Sequence, residues 1–278
     1  MFNQTATKSL RVPEGLPGLL RDLVHERTGI YFEDSRIDAL IEKLEGPALA
    51  GGYQSFLDYY YALKDDQPAE WELAWEVLSV QETYFWREMS QIEALAEIVV
   101  PAWFKKNSSP FRIWCAACAS GEEPYSIAMA LAEAGWGAHP IDIVASDASL
   151  AALEKARAAI YRQRAFRSLP LALRQKYFTA VPDGWKLDKK IVAKVKFREA
   201  NLSESADVAA LARAHVIFCR NVFIYFSPHA IRQTVANMAA KMPAGGHLFV
   251  GAAESLLRAT SDFELREIGN AFVYVRIK

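Results

Sequence analysis

Residues 113 to 129 read Ile-Trp-Cys-Ala-Ala-Cys-Ala-Ser-Gly-Glu-Glu-Pro-Tyr-Ser-Ile-Ala-Met. This is an apolar run, then a turn of small residues, then an apolar helix-forming run. Strand, tight turn and helix in that order build a nucleotide site at the strand's carboxyl end. A dinucleotide fingerprint needs several glycines so that a pyrophosphate can approach the backbone, and here Gly121 is the only glycine in the turn. A nucleoside ligand without phosphates fits better. S-adenosylmethionine is one: a sulfonium cation with a ribose and an amino-acid end, which small residues and carboxylates such as Glu122 and Glu123 can hold.

Three further apolar runs end in polar residues of the right kind: Ser146-Asp147, Asn201-Leu202 and Arg220-Asn221. Asp147 can accept both ribose hydroxyls, since charge-assisted hydrogen bonds exceed neutral ones; capping the following helix is its plainer role. Cys115 and Cys118 have the spacing of a zinc or redox pair, yet no second Cys/His pair lies nearby, so they read as small core residues and no metal is expected. Three cysteines in all, an odd number, argue for reduced thiols.

The elements that must position these residues alternate strand and helix from Phe111 onward. Strands are expected at 111–115, 141–145, 195–197, 216–219 and 247–250, and helices at 123–134, 149–160 and 228–242. That order implies a mostly parallel sheet covered on both faces. Residues 263–277, broken by Gly269-Asn270, read as a closing hairpin, and 166–194 as an insertion of short antiparallel strands. Before all this, residues 16–94 show helical spacing, with faces at Leu19, Leu20, Leu23 and Val24, at Ile37, Leu40, Ile41 and Leu44, and at Phe56, Leu57, Tyr60 and Leu63. The expected division is an all-helical domain with a helical connector over 1–90, then an α/β domain over 91–278.

The formal charge of −1 hides a segregation: residues 1–80 hold seven Lys/Arg against fourteen Asp/Glu, while 155–198 hold thirteen basic residues against Asp183 and Asp188. Nucleic-acid binding is not expected of a near-neutral chain; an acidic protein partner suits the basic segment better. Met1 to Glu14 has no signal-type apolar core and no stretch reaches the ~18 apolar residues of a membrane span. A cytoplasmic protein is expected.

Several separated blocks carry a resemblance. They are Arg27 to Ile30, Glu82 to Arg87, Gly121 to Met129, Ala145 to Asp147, Ala156 to Tyr161, Asn201-Leu202 and Ile217 to Phe226, the last being the most specific. Together they resemble the CheR family, methyltransferases that esterify glutamates on bacterial chemoreceptors. The resemblance implies a class I, Rossmann-like methyltransferase sheet with an N-terminal all-helical domain and a small inserted β-subdomain. It places cofactor contacts at Gln81, Thr83, Arg87, Glu123, Asp147, Asn201, Leu202, Arg220 and Asn221. Tyr225 falls beside the transferred methyl, with Arg87 as the second catalytic residue. The implied cofactor is S-adenosylmethionine, released as S-adenosylhomocysteine.

Methyl transfer to a glutamate needs no general base, because a carboxyl of reference pKa ~4.3 is already ionised. This accords with the lack of a catalytic His or Cys motif. Phe85 and Trp86 read as packing residues. The chain departs from its relatives where an Arg-rich helix is often found: residues 35–52 hold Arg36 and Lys43 against Asp38, Glu42 and Glu45. Attraction to an acidic, helical receptor region is therefore expected from 155–198. The insertion offers only Asp183-Gly184 in place of a glycine-rich loop, so recognition without a tethering receptor peptide is expected, by a monomer. Two other readings remain open: a relative acting on a non-chemotaxis acceptor, and a cofactor-binding regulatory module without catalysis.

Overall fold

The computed structural model describes residues 10–277, so most of the polar stretch at 1–14 lies outside the described residues. Two compact units divide between Val80 and Gln81.

The first unit is helical: α1 (Leu16–Thr28), α2 (Ile37–Ala50), α3 (Phe56–Lys64) and α4 (Pro68–Leu78). Its core gathers Leu20, Val24, Leu40, Leu44, Phe56, Tyr59, Leu63 and Trp71. The expected faces are narrower than the sequence suggested. Leu19 and Leu57 are exposed, because one helix face in contact with neighbours buries only the inner i, i+4 row.

Where the first unit ends and the second begins, residues 79–88 are irregular rather than the helical connector that the sequence suggested. Trp86 and Glu88 have φ of 68° and 49°, values no right-handed helix contains. Tertiary contacts outweigh local spacing there. Phe85 N–H donates to Ala165 O at 2.9 Å, and the Phe85 ring packs among Tyr161, Phe166 and Phe178. Helix resumes at α5 (Met89–Ala94) and, after a π-helical turn, α6 (Val100–Phe104).

The alternation then runs β1 (Phe111–Ala116), α7 (Glu122–Glu133), β2 (Ile141–Asp147), α8 (Leu150–Ala158), β3 (Ile160–Tyr161), α9 (Leu171–Tyr177), β4 (Phe178–Val181), β5 (Gly184–Leu187), α10 (Lys189–Val192), β6 (Val195–Glu199), α11 (Ser205–Leu211), β7 (Val216–Cys219), α12 (Pro228–Ala239), β8 (His247–Phe249), β9 (Phe263–Ile268) and β10 (Ala271–Arg276). The main sheet orders these as β6-β2-β1-β7-β8-β10-β9. The first five are parallel; β10 runs antiparallel to β8 and β9 to β10. This is the mostly parallel sheet closed by a reversed hairpin that the sequence led us to expect. Its central strands are almost wholly buried, as a parallel sheet covered on both faces requires. Strand alternation separates two cores: Ile113, Cys115 and Phe218 pack with α7, whereas Trp114, Ala116 and Ile217 pack with α12.

The inserted β-subdomain is a separate sheet, β3-β5-β4. It differs from the expected 166–194 in beginning at Ile160 and in containing α9 and α10. A two-residue strand gives no periodicity to read. Gly184 is required there, since a Cβ would lie 2.4 Å from Tyr161 O. Among the described residues, no helix is long and apolar enough to cross a membrane.

Candidate functional site

The turn after β1 is pinned to the end of β2. Cys118 N–H donates to Ser146 O at 2.9 Å, and Ala119 N–H to Asp147 Oδ2 at 2.8 Å. Ala117, Ala119 and Gly121 have φ of 53°, 46° and 91°. Left-handed alanines are strained and persist only when their surroundings hold them; here the two backbone bonds do so. At Gly121 a Cβ would stand 3.0 Å from Ala156 Cβ, so with φ at 91° any side chain there would be strained and would press on α8.

Asp147 therefore sits at the centre of two strand tips. Its Oδ1 accepts from Ser149 N–H at 2.9 Å, while Ser149 Oγ, accepting from Ala152 N–H, caps α8. Burial pushes the Asp147 carboxyl above its ordinary pKa, and the bonds from Ser149 and Ala119 oppose that shift. With Ala148 as a third backbone donor, the carboxylate still keeps lone-pair capacity for a ligand hydroxyl. Gln81 reaches the same corner, with Nε2 3.4 Å from Ser149 Oγ. The next tip follows directly, since Ala200 N–H donates to Asp147 O at 3.1 Å. Beyond it Asn201 Oδ1 accepts from Ser203 N–H, and Leu202 is buried with its carbonyl accepting from Thr234.

A second group surrounds Arg220 at the tip of β7. Its side chain is 2% exposed, and Nε donates to Glu123 Oε2 at 2.6 Å. Nη1 donates to Arg87 O at 3.0 Å and to Gln91 Oε1 at 3.3 Å. Glu88 Oε2 lies 3.8 Å from Nη1; it is buried and accepts no hydrogen bond. The guanidinium of Arg87 donates to Glu82 O at 3.0 Å and lies over the Tyr84 ring. Thr83 is half-buried in the same loop. Asn221, in the left-handed region at φ 60°, brings Nδ2 to 3.5 Å from Glu88 Oε1. Tyr225 ends a single 3-10 turn, half-buried between buried Phe223 and the Phe226 backbone, so it is not a core tyrosine.

The donor set suits S-adenosylmethionine. Asp147 offers carboxylate lone pairs at a strand end where a ribose diol would sit, Arg87 offers a guanidinium for a carboxylate, and Glu88, whose Oε2 is ion-paired with Arg220 but accepts no hydrogen bond, adds negative charge suited to an ammonium. Carboxylates paired with arginines suit a ligand that carries both a cation and a carboxylate.

Glu88, Gln91 and Glu254 escaped the sequence reading. Glu254 gathers three backbone N–H groups, from Asn221 at 2.7 Å, Gly251 at 2.6 Å and Ile224 at 3.3 Å. All three residues lie in irregular segments or short helices where no period singles them out. Glu122, adjacent to Glu123, is turned away: it is 4% exposed, accepts from Ser120 Oγ, and burial raises its carboxyl to about 7. Cys115 and Cys118 are buried free thiols pushed well above their ordinary pKa by desolvation, consistent with core packing. Of the basic segment, Arg164 and Arg167 are committed to Glu82, Lys176 to Glu133 and Lys196 to Asp142. Arg162, Lys186, Lys189 and Lys190 remain exposed.

Residues 81–272 match the family model described as CheR methyltransferase, SAM binding domain, and residues 18–79 match CheR methyltransferase, all-alpha domain. The chain is 35% identical over 261 residues to chemotaxis protein methyltransferase 2 of Vibrio cholerae, covering 92% of this chain and 91% of that one. It is 31% identical over 252 residues to chemotaxis protein methyltransferase 1 of Pseudomonas aeruginosa, covering 88% and 89%. A probable biofilm formation methyltransferase, WspC of Pseudomonas putida, is 30% identical over 254 residues, which are 91% of this chain and 60% of WspC.

Proposed function

This chain belongs to the CheR methyltransferase family, and from that premise we propose that it transfers a methyl group from S-adenosylmethionine to glutamate side chains of a bacterial chemoreceptor, forming methyl esters. The observation that carries the reading is the convergence of Arg87, Glu123, Arg220 and Asn221 on one cluster, at the entry to the turn that ends in Tyr225. Similarity to chemotaxis methyltransferases over nine-tenths of the chain supports it.

When bound, the cofactor supplies an electrophilic methyl on a sulfonium. The chain's residues do the rest by placement. Asp147 and Gln81 hold the ribose side, and Arg87 takes the amino-acid carboxylate, with Arg220 keeping Glu123 and Glu88 in place. Thr83, Asn201, Leu202 and Asn221 complete the lining. Tyr225 orients the acceptor carboxylate, and no residue has to move a proton. Two opposite charges vanish as the bond forms, so water must be excluded while oxygen and methyl are held in line; such positioning supplies ~7–11 kcal/mol in favourable cases.

For the partner, an acidic helical receptor region meets the exposed Arg162, Lys186, Lys189 and Lys190 of the inserted subdomain, on the cytoplasmic side where such regions lie. Four of the segment's charges are already paired within the chain, so its pull is weaker than its sequence count. A second reading, the same chemistry on the receptor of another signalling system, is favoured by the acidic helix α2 and by the similarity to WspC. Peptide mass spectrometry of receptor-bearing membranes incubated with enzyme and cofactor tests the acceptor. Added methyl on glutamates of the receptor's cytoplasmic helices is expected; methyl found only on nitrogen side chains would contradict the reading.

A further inference from the structure

Glu254 lies in the loop that leaves β8, on a strand tip outside the four that carry the cofactor assignments. Its carboxylate accepts from three main-chain donors. Oε2 accepts from Asn221 N–H at 2.7 Å and Gly251 N–H at 2.6 Å, and Oε1 accepts from Ile224 N–H at 3.3 Å. Asn221 and Ile224 bracket the entry to the 3-10 turn that ends in Tyr225.

That turn needs an external hold. Asn221 sits in the left-handed region at φ 60°, which asparagine tolerates better than most residues but does not prefer, and one 3-10 turn has little stability of its own. The seat is closed on the other side as well: a Cβ at Gly251 would stand 2.5 Å from Asn221 Nδ2 and 2.8 Å from Glu254 Oε2. Gly251 and Glu254 thus fit the turn as a pair, one by absence of a side chain and one by its acceptors.

We propose that Glu254 is a positioning residue that fixes the Asn221–Tyr225 turn and, through it, the bearing of the Tyr225 hydroxyl during methyl transfer. The inference rests on the role given to Tyr225 above. A glutamine at 254 keeps one acceptor oxygen but turns an NH2 toward the remaining N–H, so it can satisfy only part of the set.

The test is a double-mutant cycle on kcat at saturating S-adenosylmethionine, with receptor-bearing membranes as acceptor and circular dichroism to normalise for folded protein. Glu254→Ala should lower kcat about tenfold in the wild-type background and less than about threefold in Tyr225→Phe, as residues acting as a unit do. Glu254→Gln should fall between wild type and alanine. Gly251→Ala, whose Cβ would press on both Asn221 Nδ2 and Glu254 Oε2, should show the same dependence on Tyr225 and serves if Glu254→Ala fails to fold. Full kcat per folded molecule in the Glu254 variants, or equal slowing in both backgrounds, overturns the proposal while leaving Tyr225 its role. Wild-type kcat in Tyr225→Phe removes that role and the coupling with it.

Discussion

Arg220 and Glu123, 97 residues apart in sequence, meet at 2.6 Å in a setting where the arginine is 2% exposed and the glutamate 12%. A buried pair of this kind is held by mutual compensation. Removing one partner strands the other's charge and typically costs ~3–5 kcal/mol.

Arg220→Ala is therefore expected to lower stability by an amount of that order, about 3 kcal/mol. The effect should exceed that of Arg87→Ala, whose guanidinium is only partly buried. Urea unfolding of both variants checks the order; equal, small losses would show that Glu123 needs no partner.

Tyr225→Phe removes one hydroxyl from a half-buried turn. Turnover should fall about tenfold, while affinity for S-adenosylhomocysteine changes by less than about threefold, since one hydrogen bond to a charged group is worth ~1.5–3 kcal/mol in the state that forms it. Steady-state kinetics with calorimetry separates the two quantities.

Asp147→Ala should weaken S-adenosylhomocysteine by about 10- to 100-fold in calorimetry, the worth of charge-assisted bonds to a diol. It also frees Ala119 N–H and Ser149 N–H. Asp147→Asn, which keeps one acceptor for them, should recover stability before it recovers affinity.

Glu122 supplies a pH prediction with a defined sign. Burial raises its folded-state carboxyl from 4.5 to about 7. The unfolded chain ionises first, so the contribution is fully present below the unfolded value and is lost as pH rises through about 7. Glu122→Gln should match wild type near pH 5 and exceed it by about 1–3 kcal/mol near pH 8 in urea unfolding. A constant difference across that range would contradict the shift.

Lys189 and Lys190 stand exposed at the start of α10, beside the inserted sheet. Reversal of both to Glu should slow association with receptor-bearing membranes at low salt, with the difference fading as salt screens it. An unchanged, salt-independent rate would place the docking face elsewhere.

Much of the α/β unit could be read in the sequence because its strands are continuous apolar runs ending in polar residues. Burial on both sheet faces imposes that pattern, as β1 and β7 show. Asp147 and Arg220 were legible for the same reason. The connector was not: Phe85 and Ile92 have helical spacing, yet Phe85 is captured by Tyr161, Phe166 and Phe178, a contact no local pattern announces. Glu88 and Glu254 act through backbone donors and a single buried oxygen, which depend on loop geometry alone. The basic segment misled by count, since the charges of Arg164 and Arg167 are spent on Glu82 within the chain.

The central claim is that the acceptor atom is a carboxylate oxygen. Its most direct measurement incubates the protein with receptor-bearing membranes and methyl-tritiated S-adenosylmethionine, then exposes the washed membranes to mild alkali and counts volatile label. Esters predict that most membrane-bound tritium leaves as methanol, and that Tyr225→Phe cuts this release in step with its kcat. Label that stays fixed to protein through alkali would show methylation of nitrogen or another alkali-stable site and contradict the account.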